Sequence, residues 1–264
     1  MARPLIALLT DFGTADSYVG SMKGVMLGIC PDAALVDITH EVTPHDVVEG
    51  ALELEACRGA FPGGTVFLAV VDPGVGSARR GLAARCGDHR FIAPDNGILT
   101  AVFRAVPPSE VVELTVRRFA RPEISRTFEG RDRFAPAAAW LAAGSPLEAM
   151  GAPVSDWAEL DLPAAAFADG GLEGVVVRVD RFGNIVTSID RGSFARAAAS
   201  GTAEVRIGAW RTSRLVDTYS DLAAGEIAAL FGSRDCLEVS AREASAAALL
   251  GVRRGERVTV RWTG

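Results

Sequence analysis

Lysine is almost missing from this chain: Lys23 is the only one among 27 basic residues. Schiff-base chemistry therefore has a single candidate, in a segment that reads as a helix. Cysteine is scarce too. Cys30, Cys57, Cys86 and Cys236 show no CxxC spacing, which points to reduced structural thiols and away from a disulfide framework or a zinc site. No stretch approaches the roughly 18 uncharged apolar residues of a membrane span, and Met-Ala-Arg-Pro runs straight into a strand-like segment with no signal-peptide pattern. A cytoplasmic protein with no membrane partner is expected. No basic run occurs and the formal net charge is -6, so small molecules, not nucleic acid, are the expected ligand class. What is present, 264 residues with 49% hydrophobic and 23% charged content, suits a globular protein of one large or two modest domains with a sizeable core.

The first half alternates strand and helix signals. Leu5 to Thr10, Ala34 to Ile38, Thr65 to Val71, Gly81 to Cys86 and Phe91 to Ala93 read as strands, and Ser17 to Cys30, Val47 to Ala60, Gly97 to Ala105 and Phe134 to Ala143 as helices. Thr43-Pro44-His45-Asp46 reads as a helix start, with Thr43 as the cap and Pro44 in the first turn. This alternation predicts an α/β domain over residues 1–158, a mainly parallel sheet with helices on its faces. The Ala-, Asp- and Gly-rich stretch 159–172 reads as a linker. Short strands then dominate 173–264: Gly174 to Asp180, Ala203 to Ile207, Ile227 to Phe231, Cys236 to Ser240 and Arg257 to Trp262, with a helix at Glu243 to Leu250. A smaller C-terminal β-barrel is expected there.

Chemistry concentrates in polar turns that follow strands. After Val66 to Val71 come Asp72, a Pro-Gly-Val-Gly turn and Arg79. An acid and a guanidinium seven residues apart can converge at the strand end and position a small nucleophile such as water, or they can form a surface ion pair. Asp11, at the end of the first strand, suits a ribose diol or the cap of the following helix. Asp95-Asn96-Gly97 reads most simply as a turn and helix start. Residues 127–136, TFEGRDRFAP, crowd four charges before an apolar helix, either as a solvated helix start or as a contribution to a site. Asp180-Arg181-Phe182-Gly183-Asn184 joins two strands of the second domain and offers an amide for base edges and an aromatic ring for stacking. Gly232-Ser233-Arg234 suits a carboxylate, since a hydroxyl and a guanidinium both donate to one.

Six segments, LLTDFGTADSYVGSMKG at 8–24, THEVTPHD at 39–46, VVDPGVGSARR at 70–80, APDNGIL at 93–99, TFEGRDRFAP at 127–136 and VDRFGNIVTSI at 179–189, occur in an order that resembles the S-adenosyl-L-methionine (SAM) hydroxide adenosyltransferases and their fluorinating and chlorinating relatives. The resemblance spans nearly the whole chain. It implies displacement at the ribose C5′ of SAM with release of L-methionine, no cofactor beyond SAM as substrate, and a homotrimer with active sites at subunit interfaces. It further implies that Asp11 holds the ribose hydroxyls and that Asp16 and Asp180 lie near the methionine amino group. Asn184 and Phe182 would face adenine, and Ser233 and Arg234 would take the carboxylate. Phe128, His45 and Glu243 complete the implied substrate-binding set.

Asp72 and Arg79 match the water-using branch of that family, as does the Pro-His-Asp pattern around His45. Halogenating relatives carry an uncharged residue at the position of Asp72, where a buried carboxylate would repel a halide. The expected reaction is SAM hydrolysis to adenosine and L-methionine, with Asp72, Arg79 and Glu129 holding the water. Glu129 stands where the water-using enzymes carry histidine, and Arg242-Glu243 stands where the family usually has an asparagine. Two carboxylates sharing one arginine should couple, raising the pKa of one of them. A halide-using SAM adenosyltransferase and a non-catalytic SAM- or adenosine-binding protein are the alternative readings.

Overall fold

Ile6, Leu8 and their neighbours Ala7 and Leu9 are all fully buried, yet they enter different clusters. Side chains alternate along a strand, so a strand buried at every position must have a packed layer on each side. A computed structural model, which describes residues 3–168, 170–198 and 201–263, shows those layers. The chain divides into two compact units, Met1–Leu162 and Pro163–Gly264.

In unit 1 the elements are β1 (Leu5–Thr10), α1 (Tyr18–Ile29), β2 (Ala34–Thr39), α2 (Val47–Arg58), β3 (Val66–Val70), β4 (Gly81–Cys86), β5 (His89–Pro94), α3 (Thr100–Ala105), β6 (Glu110–Glu113) and α4 (Ala135–Ala142). The sheet order is β2-β1-β3-β5-β4-β6. β2, β1, β3 and β5 are parallel, and β4 is antiparallel to both of its neighbours. Met22 and Met26 of α1 and Ala137, Ala138 and Leu141 of α4 pack against Ile6, Leu8, Leu68 and Ile92. Leu54 of α2 and Val102 and Phe103 of α3 pack with Ala7, Leu9, Phe67 and Phe91. The expected α/β architecture is present, with the parallel strands ending on one edge just before Asp11, His40, Asp72 and Asp95.

Unit 2 contains β7 (Ala166–Ala168), β8 (Gly171–Val179), β9 (Ile185–Asp190), α5 (Arg191–Ala197), β10 (Thr202–Ile207), β11 (Trp210–Thr212), β12 (Ile227–Phe231), β13 (Cys236–Ala241), α6 (Ala246–Leu250) and β14 (Arg257–Thr263). Its strands are antiparallel in the order β11-β10-β14-β8-β9-β13-β12, with β7 added to β8, and form a nearly closed barrel. β8 pairs with β14 through its first half and with β9 through its second. Leu172, Val176, Ile185, Leu237, Val239, Val258 and Val260 fill the core. β7 and the start of β8 lie within the alanine-rich stretch 159–172.

Local starts differ from the sequence reading for definable reasons. His45 has φ 70°, which interrupts a helical path between Pro44 and Asp46. Helix α2 therefore begins at Val47, and Asp46, not Thr43, is its cap, accepting from the Glu49 N–H at 2.9 Å. The Glu49 carboxylate reaches back to the Thr43 N–H at 3.3 Å. Glu243 has φ 56°, so α6 starts only at Ala246, capped by Ser245. Lys23 forms an ion pair with Asp37 at 2.6 Å. Among the described residues, no helix is long and apolar enough to cross a membrane.

Asp46→Ala should destabilise unit 1 by about 1 kcal/mol, the usual worth of a helix cap, whereas Thr43→Ala should change stability by less than about 0.5 kcal/mol. Urea unfolding of the two variants checks the assignment of the cap.

Candidate active site

Strand β3 delivers Asp72 to the sheet edge, and the following turn folds back over it. The Val75 N–H donates to the Asp72 carbonyl, the Ser77 N–H to that of Gly74, and the Arg79 N–H to the Ser77 hydroxyl. Gly76 has φ 77°, and a β-carbon on it would lie 2.4 Å from the Arg126 carbonyl oxygen. Only glycine meets both demands. The Arg126 guanidinium donates to the Gly76 carbonyl at 3.0 Å, fastening the 120–127 segment to the turn.

This turn returns Arg79 to Asp72 in a two-pronged contact, Nε to Oδ1 at 2.8 Å and Nη2 to Oδ2. The same Nη2 donates to Glu129 Oε2 at 2.7 Å, and Arg133 Nη1 approaches that oxygen at 3.4 Å. The Arg79 guanidinium carbon lies 5.1 Å from the centroid of the Phe134 ring. The Asp72 and Arg79 side chains are 5% and 9% exposed, so the surface ion pair allowed by the sequence is not what forms. Burial pushes the Asp72 carboxyl above its ordinary range despite the opposing Arg79 contacts, and the Glu129 charge adds to the rise. Burial alone would lower the Arg79 pKa, but Asp72 and then Glu129 raise it.

The charges around Glu129 separate into two tasks. Glu129 faces Arg79, while Asp132, fully buried, accepts from Arg131 at 2.7 and 2.9 Å, from Arg121 at 2.9 Å and from the Ser125 N–H at 2.9 Å. Asp132 is thus a staple for the segment that covers the Gly76 turn. Asn96, read from sequence as part of a simple turn, donates its amide to the Val71 carbonyl at 2.8 Å and so fixes the backbone beside Asp72. Asp95 accepts from Arg80 and from the Ala158 N–H, both at 2.8 Å.

The remaining unit 1 candidates lie around Asp11 and in a ring cluster. Asp11 Oδ2 accepts from the His45 backbone N–H at 2.8 Å, an approach made possible by the left-handed conformation of His45. The His45 side chain and Asp16 are exposed. Phe128 meets Tyr18 and Phe12 edge-on, with centroids 5.1 and 6.1 Å away, and the Arg131 guanidinium carbon lies 4.9 Å from the Phe128 ring centroid.

In unit 2, Asp180, Phe182, Asn184, Ser233, Arg234 and Glu243 line one open cavity of about 830 Å³. Asp180 Oδ1 accepts from the Phe182 and Asn184 N–H groups at 2.9 and 2.8 Å, and its Oδ2 accepts from the Asn184 amide at 2.9 Å. The acid organises its own loop, and the Asp180 N–H in turn donates to the Asn184 backbone carbonyl at 3.0 Å. Among the lining residues that sequence reasoning missed are Tyr219 and Glu238. The Tyr219 hydroxyl donates to Glu238 at 3.1 Å. Burial raises the Glu238 carboxyl, and burial with the adjoining Glu238 charge pushes the Tyr219 phenol up to about 12. Their only sequence signal was the inclusion of an acid in an apolar strand. Among the described residues, no group of three or more His, Cys, Asp or Glu is arranged to hold a metal ion.

Residues 6–151 match the SAM hydroxide adenosyltransferase N-terminal domain, and residues 174–259 match the corresponding C-terminal domain. The chain belongs to this family. It is similar to an (R)-S-adenosyl-L-methionine hydrolase from Salinispora tropica, at 38% identity over 260 residues and 97% of each chain. A fluorinase from Actinoplanes sp. is 34% identical over 231 residues, covering 77% of this chain and 78% of the fluorinase. Among solved structures, an uncharacterized conserved protein from Thermotoga maritima aligns with TM-score 0.91 at 34% identity, covering 97% of this chain and 99% of that one.

Within this SAM hydroxide adenosyltransferase fold, the coupling of Asp72 to its neighbours has a definite sign. Removing the negative charge in Glu129→Gln should lower the titration midpoint of Asp72, and removing the positive charge in Arg79→Met should raise it. Carboxyl-carbon NMR of the two variants measures both shifts.

Proposed function

We propose that this protein is a SAM hydrolase that forms adenosine and L-methionine. The observation that carries the reading is the buried Arg79 guanidinium holding Asp72 and Glu129 together at the end of a parallel strand. A sulfonium already has a neutral leaving group, so expelling methionine needs no acid; aligning and partly dehydrating the nucleophile is the harder task. Asp72 and Glu129 accept hydrogen bonds from water while Arg79 fixes their spacing. As the water oxygen bonds to C5′, the C5′–S electron pair passes to sulfur, and the surplus proton passes to a carboxylate and then to solvent. A raised carboxyl pKa makes Asp72 a better proton acceptor than an ordinary aspartate once it is ionised. Two carboxylates also disfavour an incoming halide.

In this reading Asp11 holds the ribose hydroxyls, Asp16 and Asp180 meet the methionine ammonium, and Ser233 and Arg234 hold its carboxylate. Phe182, Asn184 and Glu243 serve the adenine side, with His45 and Phe128 completing the substrate surround. SAM is a substrate, and no metal or redox cofactor enters the scheme. The candidate water-holding residues belong to unit 1 and the 830 Å³ cavity to unit 2. We therefore propose the homotrimer that the family resemblance implies, with active sites at subunit interfaces, acting in the cytoplasm.

Incubation with SAM and excess chloride should release adenosine and methionine in equal amounts, with oxygen-18 from labelled water entering the adenosine 5′-hydroxyl. Accumulation of 5′-chloro-5′-deoxyadenosine, or SAM retained without methionine release, would overturn the assignment. Asp72→Asn should lower kcat roughly 100-fold or more, and Arg234→Ala should act mainly on KM, by roughly 10- to 100-fold.

Subunit mixing tests the assembly. At SAM concentrations well below the raised KM of Arg234→Ala, co-expressed Asp72→Asn and Arg234→Ala chains should exceed the activity of either variant alone, because some interfaces would combine two intact halves. Failure to recover activity in demonstrated mixed oligomers would exclude interface sites.

A further inference from the structure

Asp11 sits in a loop whose flanking residues are tied to a single buried side chain that the proposed mechanism does not use. His40, in the turn after β2, is 4% exposed. Its Nδ1 lies 2.8 Å from the hydroxyl of Thr10, the fully buried residue immediately before Asp11. The same hydroxyl accepts from the N–H of Phe12, immediately after Asp11, at 3.2 Å. The His40 carbonyl accepts from the Gly13 N–H at 2.7 Å. On its other side, His40 Nε2 lies 3.0 Å from Asp37 Oδ1, off the line of a full hydrogen bond, and Lys23 holds Asp37 Oδ2 at 2.6 Å.

Two proton arrangements are open to the Thr10–His40 contact, because a hydroxyl oxygen can accept twice; the one in which the hydroxyl donates to the ring also uses the hydroxyl's own proton. With Thr10 Oγ1 accepting from Phe12, its own proton can pass to His40 Nδ1 only if that nitrogen is unprotonated. The ring proton then sits on Nε2, beside the negative charge of Asp37. Lys23, Asp37, His40 and Thr10 thus form a row of polar contacts, the Asp37–His40 one an ion-pair approach, that ends on the N–H groups of Phe12 and Gly13, the two residues after Asp11. The Asp11 carboxylate is meanwhile aimed by the His45 N–H. The loop cannot rotate the carboxylate without breaking either this row of contacts or that bond.

We infer that His40, acting through Thr10, is a positioning residue that sets Asp11 for recognition of a vicinal diol. It touches neither ligand nor reacting atoms. The inference rests on the reading of Asp11 as the ribose-binding acid, so its test includes Asp11 itself. The diagnostic quantity is the ratio of affinities for adenosine and 2′-deoxyadenosine, measured by calorimetry on the full-length protein alongside the unfolding midpoint.

The wild-type protein should prefer adenosine by roughly 10-fold or more, since a site built around a hydroxyl rejects its deoxy analogue. Asp11→Ala should abolish that preference. His40→Ala and Thr10→Val should reduce it at least 5-fold, whereas His40→Asn, which can present an acceptor near the position of Nδ1, should retain most of it. If Asp11→Ala keeps the preference, the ribose assignment fails and the inference with it. If Asp11→Ala loses the preference but His40→Ala keeps it, only the role of His40 is overturned. Equal losses in His40→Ala and His40→Asn that follow the unfolding midpoint would likewise reduce His40 to a stabilising residue.

Discussion

A single guanidinium, that of Arg79, holds two carboxylates which would otherwise repel each other in a largely buried space. Asp72 comes from the end of β3 and Glu129 from a segment fifty residues beyond Arg79, so this cation joins parts of the chain that no local preference unites. Deleting one partner of such a buried pair leaves an unmatched charge, a loss of about 3–5 kcal/mol in comparable cases. Much of the surrounding architecture keeps the guanidinium in place. The glycine turn returns it to the strand, the Phe134 ring lies against it, and the stapled 120–127 segment is fastened to the turn. Arg79 cannot be exchanged for lysine without losing the planar fork that spans both acids.

The pattern of charges around this centre illustrates why sequence density is a poor guide to role. Glu129 and Asp132 are three residues apart in one motif, yet one joins the candidate reaction centre and the other braces backbone. A five-residue π-helical turn, Gly130–Phe134, begins directly after Glu129 and contains Asp132. Its wider pitch sends the two acids in different directions and carries Arg133 back to Glu129. Such turns are frequent where a helix must present a side chain that regular geometry would misdirect.

Strands buried on both faces were legible because they are short apolar runs bounded by turn residues; β1, β4 and β12 begin and end where their sequences indicate. β6, β7 and β11 span four, three and three residues, too few for periodicity to register. The start of α2 at Val47 was read correctly but its cap was misplaced, because Thr43-Pro44 carries a cap signature while the left-handed His45, whose N–H donates to the distant Asp11 carboxylate, ends the helical path before Asp46. In the site, Asp72 and Arg79 were visible through their strand-and-turn setting. Asn96, Tyr219 and Glu238 were not, since each gains its significance from a partner 19 to 25 positions away that only folding supplies.

Asp180 offers a different kind of consequence. Its carboxylate accepts from three donors of its own loop, so the loop is held by internal bonds, and Gly183 seats it directly against Ser245. The entropy of ordering that loop is lost during folding, not at the moment of association. A cavity wall assembled in this way favours ligands that match a fixed outline over those that must mould it, and it lets recognition proceed without waiting for a slow rearrangement.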